Sequence, residues 1–294
     1  MTNLKSKAME KKLKILMLFT FISIQGLAQN YVGDSWGQIK QVGQGTISLA
    51  YVETPSFVYK DMNGKLTGIC VDIMNDFVKW ANDAKNVKLQ SKFVGDGSSF
   101  RGMYDKVKIS TGGVFGLGNI TITEERKKEI KFSTPFITNF AILITQTSIP
   151  TLAKMEDISA TFASLTAYTA KGTLNEKRVS ELKKKYFPAM KVVTTTTSQE
   201  TLEKVFNDPK GFAYLDLAFY LEAAQMRKPI KRHPVGDQAA EQFGFVMPIN
   251  SDWNVLLDEF FKANGGYTTT SRYREILSKH LGETGVKLLQ SANK

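Results

Sequence analysis

The chain has 294 residues, enough for one large domain or two small lobes, each with its own core. Apolar residues make up 42% and charged residues 23%, a balance that excludes a disordered chain. The net charge is +11, but residues 1–28 hold five lysines against Glu10, so the chain beyond them carries +7.

In chain order, Lys11, Lys12 and Lys14 precede an apolar run from Ile15 to Ile24, followed by Gly26, Leu27 and Ala28. A basic start, a short apolar stretch and small residues at the exit predict a secretory signal cleaved after Ala28. The run is about half of the ~20 residues that a spanning helix needs. Export argues against a nucleic-acid partner, and the lysines are scattered. The longest run, Lys183, Lys184 and Lys185, reads as a solvated face. Cys70 is the only cysteine, which excludes an internal disulfide; lying between Ile69 and Val71, it reads as a buried thiol.

The mature chain alternates strands with helices, an α/β pattern. Thr46–Val52 reads as a strand, and Ile73, Met74, Phe77, Val78 and Ala81 form a helical stripe. Val87, Leu89, Ser91 and Phe93 alternate with polar residues, as in a half-buried strand. Phe140–Thr145 is continuously apolar, as in a strand covered on both faces. Phe162–Tyr168 is strand-like. Thr173 with Glu176 and Thr197 with Glu200 are spaced as capping boxes at two helix starts. Gly211–Asp216 and Phe243–Met247 read as further strands. Trp253, Leu256, Leu257, Phe260 and Phe261 form an amphipathic helix stopped by Gly265 and Gly266, and Tyr273–Leu281 lies on a last helix.

Signals for enzyme chemistry are thin. His233 and His280 stand in unrelated contexts, no metal-ligand spacing occurs, and there is no nucleophile elbow or phosphate loop. The informative stretch is Gly112–Phe136. There Thr123 can cap a helix whose first turn holds Arg126, so free backbone N–H groups and a guanidinium meet, which suits a carboxylate. A solvated surface charge is the alternative for Arg126.

Thr121-Ile122-Thr123, Arg126, Phe132-Ser133 and Pro135-Phe136 resemble the T-I-T-x-x-R…F-S-x-P-[YF] signature of family 3 extracellular solute-binding proteins, shared by ionotropic glutamate receptor ligand cores. Glu53–Tyr59 with Gly68–Ile73, Gly172-Thr173 and Phe243–Val246 resemble other landmarks of that family, in order along the mature chain. The resemblance implies a type II, periplasmic-binding-protein-like clamshell with two hinge-crossing strands. Its first lobe would hold residues 29–138 and 243–294, its second residues 139–242. It also implies a periplasmic monomer that needs no cofactor, captures an amino-acid-like solute and delivers it to an ABC permease.

By the same resemblance Arg126 matches the residue that grips the ligand α-carboxylate, and Thr121 the residue that supports it. Asn119 matches the position whose carbonyl meets the ligand amine. Phe57 falls at the aromatic position that packs on the ligand, and Thr173 at the helix start in the second lobe that caps an anionic group. Asp216 falls at the acidic position for the α-ammonium if Phe212 precedes the apolar run; in the other register Leu217 is there. Each has a bland alternative: core for Phe57, a helix cap for Thr173, a loop cap for Asp216. Where many members carry an acidic residue before the T-I-T strand, this chain has the glycine-rich Gly112–Gly118. Two other readings remain: a cyclohexadienyl or arogenate dehydratase on the same fold, with Glu53 or Asp216 as general acid, and a ligand-sensing subunit of a receptor.

Overall fold

The computed structural model describes residues 30–292. The expected signal segment and its cleavage after Ala28 lie outside the described residues. Among the described residues no helix is long and apolar enough to cross a membrane.

The elements follow in chain order as α1 (Trp36–Val42), β1 (Gln44–Val52), α2 (Ile69–Lys85), β2 (Lys88–Gly97), α3 (Phe100–Lys108), β3 (Val114–Leu117), α4 (Glu124–Lys127), β4 (Ile130–Phe132) and β5 (Ile137–Gln146). Next come α5 (Ile158–Thr161), β6 (Thr166–Ala170), α6 (Leu174–Lys185), β7 (Lys191–Thr195), α7 (Ser198–Asn207), β8 (Gly211–Asp216), α8 (Leu217–Gln225) and β9 (Ile230–Arg232). The chain closes with β10 (Gln238–Phe243), β11 (Val246–Pro248), α9 (Trp253–Lys262) and α10 (Ser271–Ala292).

Two main sheets result. The first has strand order β2-β1-β3-β11-β4, the second β7-β6-β8-β5-β9, with β10 also paired to β5. β1 runs parallel to β2 and β3, and β6 parallel to β7 and β8, as helical crossovers require. β5 leaves the first sheet's segment for the second, and β10 returns. The two are antiparallel neighbours, with Ile137 opposite Phe243 and Asn139 opposite Glu241. This is the two-lobed clamshell with a pair of crossing strands.

The apolar pattern explains the packing. α2 buries Ile73, Met74, Phe77 and Ala81, the residues of its helical stripe, while Val78 packs against the same core from a partly exposed position. Phe77 meets Trp253 of α9 at 6.1 Å between ring centroids, and Trp253 lies 5.8 Å from Phe115 on β3. Such aromatic pairs contribute ~0.5–1.5 kcal/mol each beyond burial. Trp253 Nε1 donates to the Asp34 carbonyl at 2.9 Å, so its polar edge is satisfied. Cys70 is buried, and burial pushes its thiol well up from the ordinary value.

The glycine-rich stretch has a steric reason. Gly112 has φ +67, and a Cβ on Gly113 would lie 2.5 Å from the Asp34 carbonyl oxygen. This close approach lets the short strand Val32–Gly33 pair beside it.

Four expectations need correction. The strand expected over Phe162–Tyr168 begins at Thr166; Phe162 instead closes the turn after α5 and packs on Phe212 at 5.1 Å. Phe243–Met247 is two strands, because Gly244 and Phe245 interrupt the pairing between β10 and β11. In β2 the inward alternation is confined to Leu89, since β2 is an edge strand and Phe93 is 39% exposed. Both capping boxes shift by one residue. Thr173 and Thr197 accept from the Glu176 and Glu200 amides, but the glutamates reach back to the Gly172 and Thr196 amides rather than to the caps' own.

Candidate ligand-binding cleft

One cleft is lined from both lobes. The first lobe supplies Glu53 and Thr54 after β1, Phe100 at the start of α3, and Asn119, Thr121 and Arg126. The second supplies Thr173, Asn175 and Arg178 around the start of α6, Thr197 and Ser198 at the start of α7, and Asp216 at the end of β8. Glu241, on the returning strand β10, lies between.

The wall around Arg126 is built locally. Thr123 Oγ1 accepts from the Arg126 amide at 3.1 Å and starts α4, which is only four residues long. The side chain then turns back, and Nη1 donates to the Thr121 carbonyl at 2.9 Å. The guanidinium stacks over the Phe100 ring at 4.9 Å and lies 5.7 Å from the Tyr104 ring centre, cation–π contacts that fix its plane. Tyr104 is anchored in turn by donating to Glu129 Oε1 at 3.0 Å, and Lys108 pairs with Glu129. Burial lowers the Arg126 pKa from its ordinary value, opposed by Tyr104, Glu125, Asp216 and Glu129. Arginine remains charged throughout the ordinary pH range.

Asp216 sits opposite, 6% exposed. It precedes α8 yet makes no side-chain cap bond. Its carboxylate instead accepts from Asn119 Nδ2 and, at 3.3 Å, from Asn139 Nδ2. Burial raises the Asp216 pKa; Arg178 and the side chains of Asn119, Asn175 and Asn139 oppose that by favouring the charged form. Asn119 Oδ1 accepts from Thr54 Oγ1 at 3.1 Å, so the first lobe orients the amide that the second lobe's carboxylate receives.

Thr173 caps the twelve-residue α6, donating to the Ala170 carbonyl at 2.7 Å while accepting from the Glu176 amide. The positive end of that helix therefore faces the cleft. Arg178, one turn further along, donates to Asn175 Oδ1 at 2.7 Å and pairs with Glu241. Glu241 also accepts from Thr121 Oγ1 at 3.2 Å.

Five of the six residues singled out from the sequence, namely Arg126, Thr121, Asn119, Thr173 and Asp216, line this cleft. Leu217 is buried in the core, so Asp216 is the residue in register with the cleft. Phe57 is the correction. It is 2% exposed and packs edge-on against Phe243 at 5.5 Å, in the first lobe's core; Phe100 and Phe219 are the aromatic residues that line the cleft instead. Arg178, Asn175, Glu241 and Phe100 were missed. The first two share the cleft-facing side of α6 with Thr173, which the helical repeat could have shown. Glu241 has no local signal, since the fold alone brings it to Thr121 across 120 positions. Among the described residues there is no group of three or more His, Cys, Asp or Glu that could hold a metal ion.

Solved structures share this architecture. The arginine-, lysine-, histidine-binding protein ArtJ from Geobacillus stearothermophilus is 19% identical with a TM-score of 0.65, over 81% of this chain and 96% of that one. A P235GK mutant of ArgBP from T. maritima is 20% identical with a TM-score of 0.65, over 84% and 99%. The ancestral amino acid-binding protein AncCDT-1, a precursor of cyclohexadienyl dehydratase, is 20% identical with a TM-score of 0.63, over 83% and 98%. No curated protein sequence matches significantly. The model of bacterial extracellular solute-binding proteins, family 3, matches residues 47–283, nearly the whole of both lobes, and the chain belongs to that family.

Proposed function

We propose that the cleft captures an α-amino acid and releases it unaltered to the membrane subunits of an ABC importer. The observation that carries this reading is the placement of Arg126 and Asp216, opposite charges from different lobes, in one cleft. Arg126, supported by Thr121 and by the start of α6 at Thr173, would take the α-carboxylate. Asp216, with the Asn119 carbonyl, would take the α-ammonium, and Phe100 would flank the side chain. The protein would act as a monomer, exported and cleaved after Ala28, with its hinge at the passage of β5 and β10 near residues 138 and 242.

A carboxyl whose burial raises its pKa is also what a general acid requires, so Asp216 gives the dehydratase reading one supporting observation. Against it, the Asn119 and Asn139 amides and Arg178 favour the ionised form, which suits an ammonium partner. The test is a thermal-shift screen of the protein against the twenty L-amino acids and prephenate. Arginine, lysine, histidine and glutamine head the panel because similar proteins bind them. A specific ligand raises the melting temperature by mass action and should be recovered chemically intact. No shift with any amino acid, or conversion of prephenate, contradicts the proposal.

A further inference from the structure

Arg178 and Glu241 form a charge pair inside the cleft that the amino-acid reading leaves without a task. Their side chains are only 11% and 7% exposed. Two ions are rarely taken out of water together without a return, because desolvation consumes most of what their attraction yields. Their position suggests the return. Glu241 stands opposite Asn139 across the two crossing strands, and Asn139 donates to Asp216. Arg178 reaches over from α6, and Asp216 leads the charges acting on it, ahead of Tyr214 and Glu181. One guanidinium thus lines the cleft together with two buried carboxylates, Asp216 and Glu241, and is paired with Glu241.

We propose that Glu241 is a positioning residue for the amine end of the cleft: by holding the Arg178 guanidinium, it leaves Asp216 available to a cationic group of the ligand. Without Glu241, Arg178 has Asp216 as its remaining carboxylate partner in the cleft and competes with the incoming ammonium. With Glu241 in place, two carboxylates face one guanidinium, and the ligand ammonium completes the balance. The inference rests on the amino-acid reading above and adds the residue that keeps its amine site open.

The test uses Glu241→Gln, which can still accept from Thr121, and the double variant Glu241→Gln/Arg178→Met, which removes the competitor as well. The probes are L-arginine, L-lysine, L-histidine and L-glutamine, each alongside its analogue lacking the α-amine. Glu241→Gln should weaken the amino acid bound by wild type on the order of 100-fold and leave its des-amino analogue nearly unchanged. The double variant should recover most of that loss. A merely structural pair would weaken both probes alike, and that result overturns the inference.

A second readout needs no ligand. In carboxyl carbon-13 spectra, Asp216 should titrate at lower pH in Glu241→Gln than in wild type, because a closer guanidinium favours its ionised form. It should titrate at higher pH again in the double variant. Equal midpoints in wild type and Glu241→Gln overturn the inference and leave the amino-acid reading untouched. Shifted midpoints with no amino acid bound by wild type overturn that reading and leave the Arg178 exchange standing.

Discussion

Arg126 is a side chain whose position its neighbours fix. Its amide is fixed by the Thr123 hydroxyl, one guanidinium nitrogen by the Thr121 carbonyl, and its plane by Phe100 and Tyr104. Freezing a long side chain in advance lowers the entropy cost of binding. A lysine at the same position keeps the charge but loses both the planar fork and the stacking. Arg126→Lys should therefore cost ~2–5 kcal/mol of binding free energy, read by calorimetry with the best amino acid from the screen. Unchanged affinity would remove Arg126 from the site. Phe57 carries the opposite lesson. A phenylalanine near the right landmark is more often core than ligand contact, and the sequence offers no way to see that Phe243 closes over it.

At the scale of elements, His233 ties the loop at Leu152 to strand β5. Its Nδ1 accepts from the Leu152 amide at 3.0 Å, which leaves Nε2–H to donate to Thr145 Oγ1 at 2.7 Å. Protonating Nδ1 would break the first bond, and burial lowers the His233 pKa from 6.5 to about 4. Between those values the unfolded chain binds the proton and the folded one does not. Stability is therefore complete above about pH 6.5 and falls as pH drops toward 4. Asp72, held by His280 and Lys279 and lowered from 3.8 to about 2, adds its loss only below that window. Denaturant melts of His233→Gln should show a flatter pH dependence between 6.5 and 4, with the wild-type decline on the order of 2 kcal/mol. An identical pH profile in both would show that His233 titrates normally.

Element starts were legible because they rest on local chemistry. Thr123, Thr173 and Thr197 each cap the helix that their spacing announced, and Gly211–Asp216 is a strand with those bounds. The strand ends that were misplaced depend on partners far along the chain. Phe162 stays out of β6 because Phe212 and His233 claim its ring. Within the cleft, Thr121 and Arg126 were readable from one short motif. Glu241 was not, since its role exists only where β10 returns past the first lobe.

For the whole molecule, we propose that a solute is held between two lobes that move about a pair of crossing strands. Arg126 and Thr121 belong to one lobe, Thr173 and Asp216 to the other, so a ligand touching all four binds the closed form better than the open one. Only such a difference in affinity shifts the equilibrium between the two. The direct measurement is small-angle X-ray scattering of the protein, with and without a saturating concentration of the amino acid that gives the largest thermal shift. The radius of gyration should fall when that amino acid is added and return when it is dialysed away. A radius that stays the same at saturation would contradict capture by closure.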